Sequence, residues 1–153
     1  MARRLALLFT VLLALALCGC PHDGETMNNG YYSAAAASFD SSGWKPFITL
    51  YVYNGKIVTA EFNARNASGL IFSWDVLSMR RAKLRTRIHP SKIIREYTQE
   101  LLNRQNAEKI RRIPGDYFLY ESFTQLAAAA MARAQAGDRS LAEVELAPEK
   151  AAP

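Results

Sequence analysis

The hydrophobic pattern divides the chain into an apolar leader and a folded body. Residues 5–17 are apolar except for Thr10, and Arg3 and Arg4 precede them, the order of a secretory signal. After a polar stretch at residues 21–29 the pattern becomes that of a domain. Tyr31 and Tyr32, followed by alanines and the Asp40-Ser41-Ser42-Gly43 turn, predict a strand. Ile48, Leu50 and Val52 then alternate with Thr49, Tyr51 and Tyr53, the period of two of a half-buried strand. Asn54-Gly55 suits a two-residue hairpin turn, in which both central residues take positive φ. The chain returns through Ile57, Val58, Ala60 and Phe62 as the second strand.

Beyond the hairpin the spacing turns helical. Asn66-Ala67-Ser68-Gly69 is a second turn, followed by the short apolar run Leu70-Ile71-Phe72. A helix with a thin apolar stripe is expected over residues 74–84. His89-Pro90-Ser91 ends it and caps the next, over residues 92–103, with Ile93, Ile94, Tyr97 and Leu101 on one face. Pro114-Gly115 closes a connection at residues 104–116. In the last helix Leu119, Phe123, Leu126, Ala130 and Ala134 follow helical spacing, and Gly137 stands at the C-terminal stop. Residues 141–146 alternate and predict an added edge strand. The fold class is therefore α+β: an antiparallel sheet with a central β-hairpin and two to three packed helices.

Composition narrows the possibilities. The 153 residues, half of them hydrophobic, are enough for one domain with a core. Both cysteines lie in the first twenty residues, so the folded body has no thiol for a disulfide, a cysteine-based zinc site or a cysteine nucleophile. The leader ends Leu17-Cys18-Gly19-Cys20, which looks like a bacterial lipobox. Gly19 leaves room for a signal peptidase, and Cys20 is the residue that would take the lipid; Cys18 follows bulky Leu17 and fits less well. The expected organisation is a lipoprotein signal at residues 1–19, a lipidated tether at 20–29, a globular domain at 30–146 and a loose tail at 147–153. Without the leader there are 17 basic and 14 acidic residues, a balance of +3, too mild to argue for nucleic acid. Acylation would hold the protein at the cell envelope without spanning the membrane.

Catalytic and metal signatures are missing. His22 falls in the tether and His89 before a proline, with no third ligand near either. There is no Gly-x-Ser-x-Gly, P-loop or His-Glu-x-x-His pattern, so the sequence supports an enzyme less well than a non-enzyme. Two surface features remain. Arg80, Arg81, Lys83, Arg85 and Arg87 form a basic run that suits either a solvated helix face, the preferred reading, or an anionic headgroup or phosphate. Seven tyrosines and two tryptophans suit half-buried sheet positions, or a stack on a planar ring.

The order of the pieces resembles a known family. Asn29-Gly30-Tyr31-Tyr32, Gly43-Trp44-Lys45-Pro46-Phe47 and Asn54-Gly55-Lys56-Ile57 are similar to segments that recur in this order in bacterial FMN-binding-domain lipoproteins. The last helix, with Glu121-Ser122-Phe123-Thr124-Gln125-Leu126 and Gly137-Asp138, is similar as well. The resemblance covers about residues 29–146 and implies an FMN-binding-domain-like fold in extracytoplasmic electron transfer. It places the family's flavin segment at Gly115, Asp116 and Tyr117. There Pro114 removes an N–H, Asp116 puts a negative charge where phosphate would lie, and Tyr117 replaces the esterified threonine. The expectation is a membrane-anchored protein without covalent flavin, binding FMN non-covalently if at all and no metal, with an envelope redox or structural partner. The alternative is a non-catalytic structural or interaction lipoprotein that has lost flavin binding.

Overall fold

A computed structural model describes residues 26–116 and 119–146. Four strands, β1 (Gly30–Ala36), β2 (Lys45–Tyr53), β3 (Lys56–Arg65) and β4 (Ala142–Val144), form one sheet in the order β3-β2-β1-β4. Three helices, α1 (Val76–Thr86), α2 (Pro90–Arg104) and α3 (Leu119–Ala136), complete the α+β fold. The first three strands pair antiparallel as expected, but β4 runs parallel to β1. The sheet is mixed because α3 packs on β1 and β2 and ends beside the start of β1. There Asn28 donates from its backbone N–H to the Ala134 carbonyl, and the chain re-enters along β1 in the same direction. Gly137, at φ 70°, makes that reversal.

The hairpin forms where the turn chemistry predicted. Asn54 and Gly55 have φ of 51° and 72° and join Tyr53 to its partner Lys56. The alternation of β2 places Ile48, Leu50 and Val52 in the core at zero exposure. On β3 the period breaks. Val52 pairs with Ile57 but Tyr51 pairs with Thr59, so Val58 is an extra residue, a β-bulge. The bulge restores Ile57 to the face that also carries Phe62, although the two lie an odd number of positions apart, and leaves Val58 46% exposed.

Helices α2 and α3 cover the apolar face of the sheet. Ile93, Tyr97 and Leu101 from α2 meet Phe123, Leu126, Ala130 and Ala134 from α3 over Tyr32, Ala34 and Phe62. The small side chains Ala127, Ala130 and Ala134 are fully buried and let α3 lie close to alanine-rich β1. The other sheet face is polar and aromatic: the Ser33 and Thr49 hydroxyls bond at 2.9 Å and Tyr31 stacks on Tyr51 at 4.6 Å. Most of the sheet tyrosines are therefore half-buried or exposed, while Tyr32 is buried at 1%.

The helix starts are set by their caps. At α2, His89 Nδ1 accepts from Ser91 N, and Pro90 occupies the first turn where its missing N–H costs nothing. At α1 the helix begins two residues later than the apolar pattern suggested. Residues 72–74 form a short 3-10 turn, and Asp75 accepts from the backbone N–H of Leu77 and Ser78. Competition from that carboxylate for the free amides fixes the boundary.

Candidate functional site

The segment that leads into α3 is held by a buried knot of polar groups. Ile113, Pro114, Gly115 and Asp116 make a tight turn in which Asp116 N donates to the Ile113 carbonyl at 3.0 Å. Proline at the second position and Gly115 at φ 84° meet the requirements of a type II turn. Gly115 thus has a backbone reason to be glycine. Asp116 follows at zero exposure. Its Oδ2 accepts from the Tyr97 hydroxyl at 2.6 Å, and its Oδ1 accepts from Leu119 N at 2.9 Å. The second bond sets a carboxylate against the first amide of α3, at the positive end of the helix. Tyr97 OH also accepts from Ile113 N at 3.1 Å. Burial, and then the bond to Asp116, push the Tyr97 phenol far above its ordinary value, so it stays a protonated donor.

Arg112 clamps the outside of the knot. Its guanidinium donates to the Asp116 carbonyl at 3.2 Å, pairs with Glu121 at 2.5 Å and lies 4.5 Å from the Tyr120 ring centroid. Tyr120 in turn donates to the Ile110 carbonyl at 3.1 Å. These contacts staple residues 110–116 to the first turn of α3.

Asp116 and Arg112 also line a cleft of about 920 Å³. Phe39, Trp44 and Phe72 give it aromatic walls, and Arg81 reaches it from α1. The Asp40 loop shapes the mouth: Asp40 Oδ1 accepts from Ser42 N and Trp44 N at 2.8 and 2.9 Å. Trp44 meets Phe72 edge-on at 5.1 Å. A space of this size, with flat apolar walls and with Asp40, Arg81, Arg85, Arg112, Asp116 and Glu121 in its lining, suits a small organic ligand that carries polar groups. Its walls come from segments as far apart as Phe39 and Leu146, so no contiguous motif announced it.

The residues predicted from sequence fall in different places. Gly115 serves the turn, and Asp116 occupies the helix entrance that a phosphate would need. Tyr117 and Cys20 lie outside the described residues, as does His22. His89 is a helix cap. The basic side chains from Arg80 to Arg87 are exposed on α1 and just beyond it. Among the described residues no group of three or more His, Cys, Asp or Glu side chains is placed to hold a metal, and no helix is long and apolar enough to cross a membrane.

No protein-family model matches the sequence. The chain is similar to a lipoprotein. It is 29% identical over 131 residues to the 15 kDa lipoprotein of Treponema pallidum (strain Nichols), spanning 86% of this chain and 92% of that protein. Two solved structures share the fold. A crystal structure of a Clostridium perfringens protein superposes with a TM-score of 0.73 at 23% identity, over 79% of this chain and 99% of that one. A solution structure from Clostridium thermocellum gives 0.51 at 24%, over 81% and 100%. At these identities the two structures speak to the fold alone. The Treponema relative supports the lipoprotein half of the sequence reading.

Proposed function

We propose that this is a lipid-anchored cell-envelope protein, tethered through acylated Cys20, whose folded domain is a binding module built around the aromatic cleft. The observation that carries the anchor is the likeness, over nearly the whole of both chains, to a protein named a lipoprotein. The lipobox at Leu17-Cys18-Gly19-Cys20 supplies the acceptor. A membrane is then the first partner, and the cleft faces whatever small molecule or envelope protein the domain meets.

The same reading limits how a flavin is bound. A phosphate gains most from the free amides and the dipole at a helix N-terminus. At α3 that position already holds the Asp116 carboxylate, bonded to Leu119 N and Tyr97. A phosphate there would displace a buried carboxylate and meet like charge. FMN is therefore a non-covalent ligand of the cleft, its ring between the aromatic walls, or not a ligand at all. Electron transfer follows only in the first case; in the second the domain is an interaction surface.

Two measurements test this. Labelling with a fatty-acid precursor should mark the wild-type protein and not Cys20→Ala; label retained on the variant refutes the anchor. Titration of FMN against tryptophan emission should report the cleft through Trp44, with loss of the response in Phe72→Ala. A wild-type spectrum that ignores FMN removes flavin and leaves the interaction reading.

A further inference from the structure

Helix α1 is built unlike the others. Met79 and Ala82 are its buried positions. Leu77, Arg80 and Leu84 fall on the opposite face at helical spacing, with Leu77 and Leu84 exposed at 63% and 82%. Trp74, in the turn just before the helix, is exposed at 73%, and Val76 at 61%. Around these apolar side chains stand Arg80, Arg81, Lys83, Arg85 and, at the C-cap, Arg87. No acidic residue lies within the helix. Arg80, Lys83 and Arg87 surround Leu84 in a shallow groove and join none of the ion pairs among the described residues. A solvated helix face accounts for the cations but not for a tryptophan and two leucines held out among them.

We propose that α1, with Trp74, is a second membrane contact that docks on the anionic headgroups of the bilayer holding the anchor; this rests on the anchored reading. The chemistry is complementary on both counts. Leucines and a tryptophan enter the headgroup boundary, and the surrounding cations meet lipid phosphates. The lipid on Cys20 fixes where the chain is held but not which face of the domain meets the bilayer, and a basic surface with exposed apolar side chains supplies that orientation. The placement is compatible. Asn28 lies at the end of α3 beside the start of β1, whereas α1 follows the far end of β3. Residues 20–28 reach about 27 Å when extended, and the ten residues of β3 span about 33 Å. Anchor and helix would therefore hold the domain at both ends, with the strands along the membrane and its freedom to tilt restricted.

The test uses the mature protein isolated from its envelope, with its acylation read by intact mass, mixed with phosphatidylcholine vesicles carrying brominated acyl chains, with and without phosphatidylglycerol. Trp44 is buried and Trp74 is exposed, so lipid quenching reports Trp74, and Trp74→Phe verifies the source. Phosphatidylglycerol should raise the quenched fraction severalfold. Arg80→Glu with Lys83→Glu and Arg87→Glu should reduce vesicle binding by more than about tenfold at low salt. Leu77→Ser with Leu84→Ser should abolish the quenching while Trp44 emission stays native. An acylated protein whose Trp74 is unquenched on phosphatidylglycerol vesicles overturns this inference and leaves the anchor intact, and so does equal quenching on neutral vesicles. A non-acylated protein with phosphatidylglycerol-dependent quenching overturns the anchor and retains the docking face. An α1 that is protected only when an acidic protein is added refutes a lipid partner.

Discussion

Replacing Asp116 with alanine removes the bonds from the Tyr97 hydroxyl and from Leu119 N in one step. Leu119 N, at the start of α3, loses its acceptor, worth about 1 kcal/mol. The Tyr97 hydroxyl loses a charge-assisted acceptor at 2.6 Å in a site closed to water; a hydrogen bond to a charged group contributes about 1.5–3 kcal/mol. The cavity left by a small side chain adds little, so the expected loss is about 3 kcal/mol. With a urea dependence of about 2 kcal/mol per molar, the unfolding midpoint should fall by about 1.5 M. Tyr97→Phe removes one of the two bonds from the other side, and it also strips Ile113 N of its acceptor. The two substitutions share that bond, so the double variant should be less destabilised than the sum of the singles by about 1–2 kcal/mol. The assay is equilibrium urea unfolding of the four proteins at neutral pH, followed by circular dichroism. A midpoint shift below about 0.3 M for Asp116→Ala, or strict additivity, would refute the reading of Asp116 as a buried acceptor for Tyr97 and the start of α3.

Three further outcomes follow from the structure. Gly55→Val forces a β-branched residue to φ 72°, where an added Cβ meets the Met27 carbonyl only at an ordinary 4.0 Å, so backbone strain should cost about 1–2 kcal/mol; an unchanged urea midpoint contradicts the turn. The bond from the Ser78 hydroxyl, then the amides of Ser78 and Leu77, hold the Asp75 carboxyl below its ordinary value of 3.8. A depressed folded-state value stabilises the protein above the unfolded value and is lost as pH falls through the folded one. Wild type should therefore unfold at higher urea than Asp75→Asn at neutral pH, with the two curves converging as the pH drops below 3.8; a gap that widens in acid reverses the argument. Co-expression with a flavin transferase should leave the protein without covalent flavin, checked by in-gel fluorescence after denaturation; a fluorescent band carrying the mass of one FMN at residues 115–117 would show the helix entrance to be misassigned.

What the sequence made legible was local. Asn54-Gly55 announced the hairpin because positive φ at two successive positions restricts residue choice, and His89-Pro90 announced a cap for the same kind of reason. The bulge at Val58 was hidden, because an inserted residue shifts the parity of a strand without changing its composition. The start of α1 was misplaced, because the apolar pattern includes Trp74 while Asp75 competes for the first amides; Asp75 followed three residues later by Ser78 was the available signal. Asp116 reads in sequence as a charge in a loop. Only the fold shows that Tyr97, 19 positions earlier, brings a hydroxyl to it. The cleft was illegible for a similar reason, since Phe39 and Trp44 stand in the loop between β1 and β2 whereas Phe72 comes from the turn beyond β3. The parallel edge strand depends on where α3 ends, which spacing does not encode.

Whether Cys20 carries the anchor is read from the intact mass of the mature protein extracted from its own envelope. The chain should begin at Cys20 and carry the added mass of acyl groups, localised to that residue by fragmentation, with no mass for flavin. A chain that begins elsewhere, or a Cys20 that is present and unmodified, contradicts it.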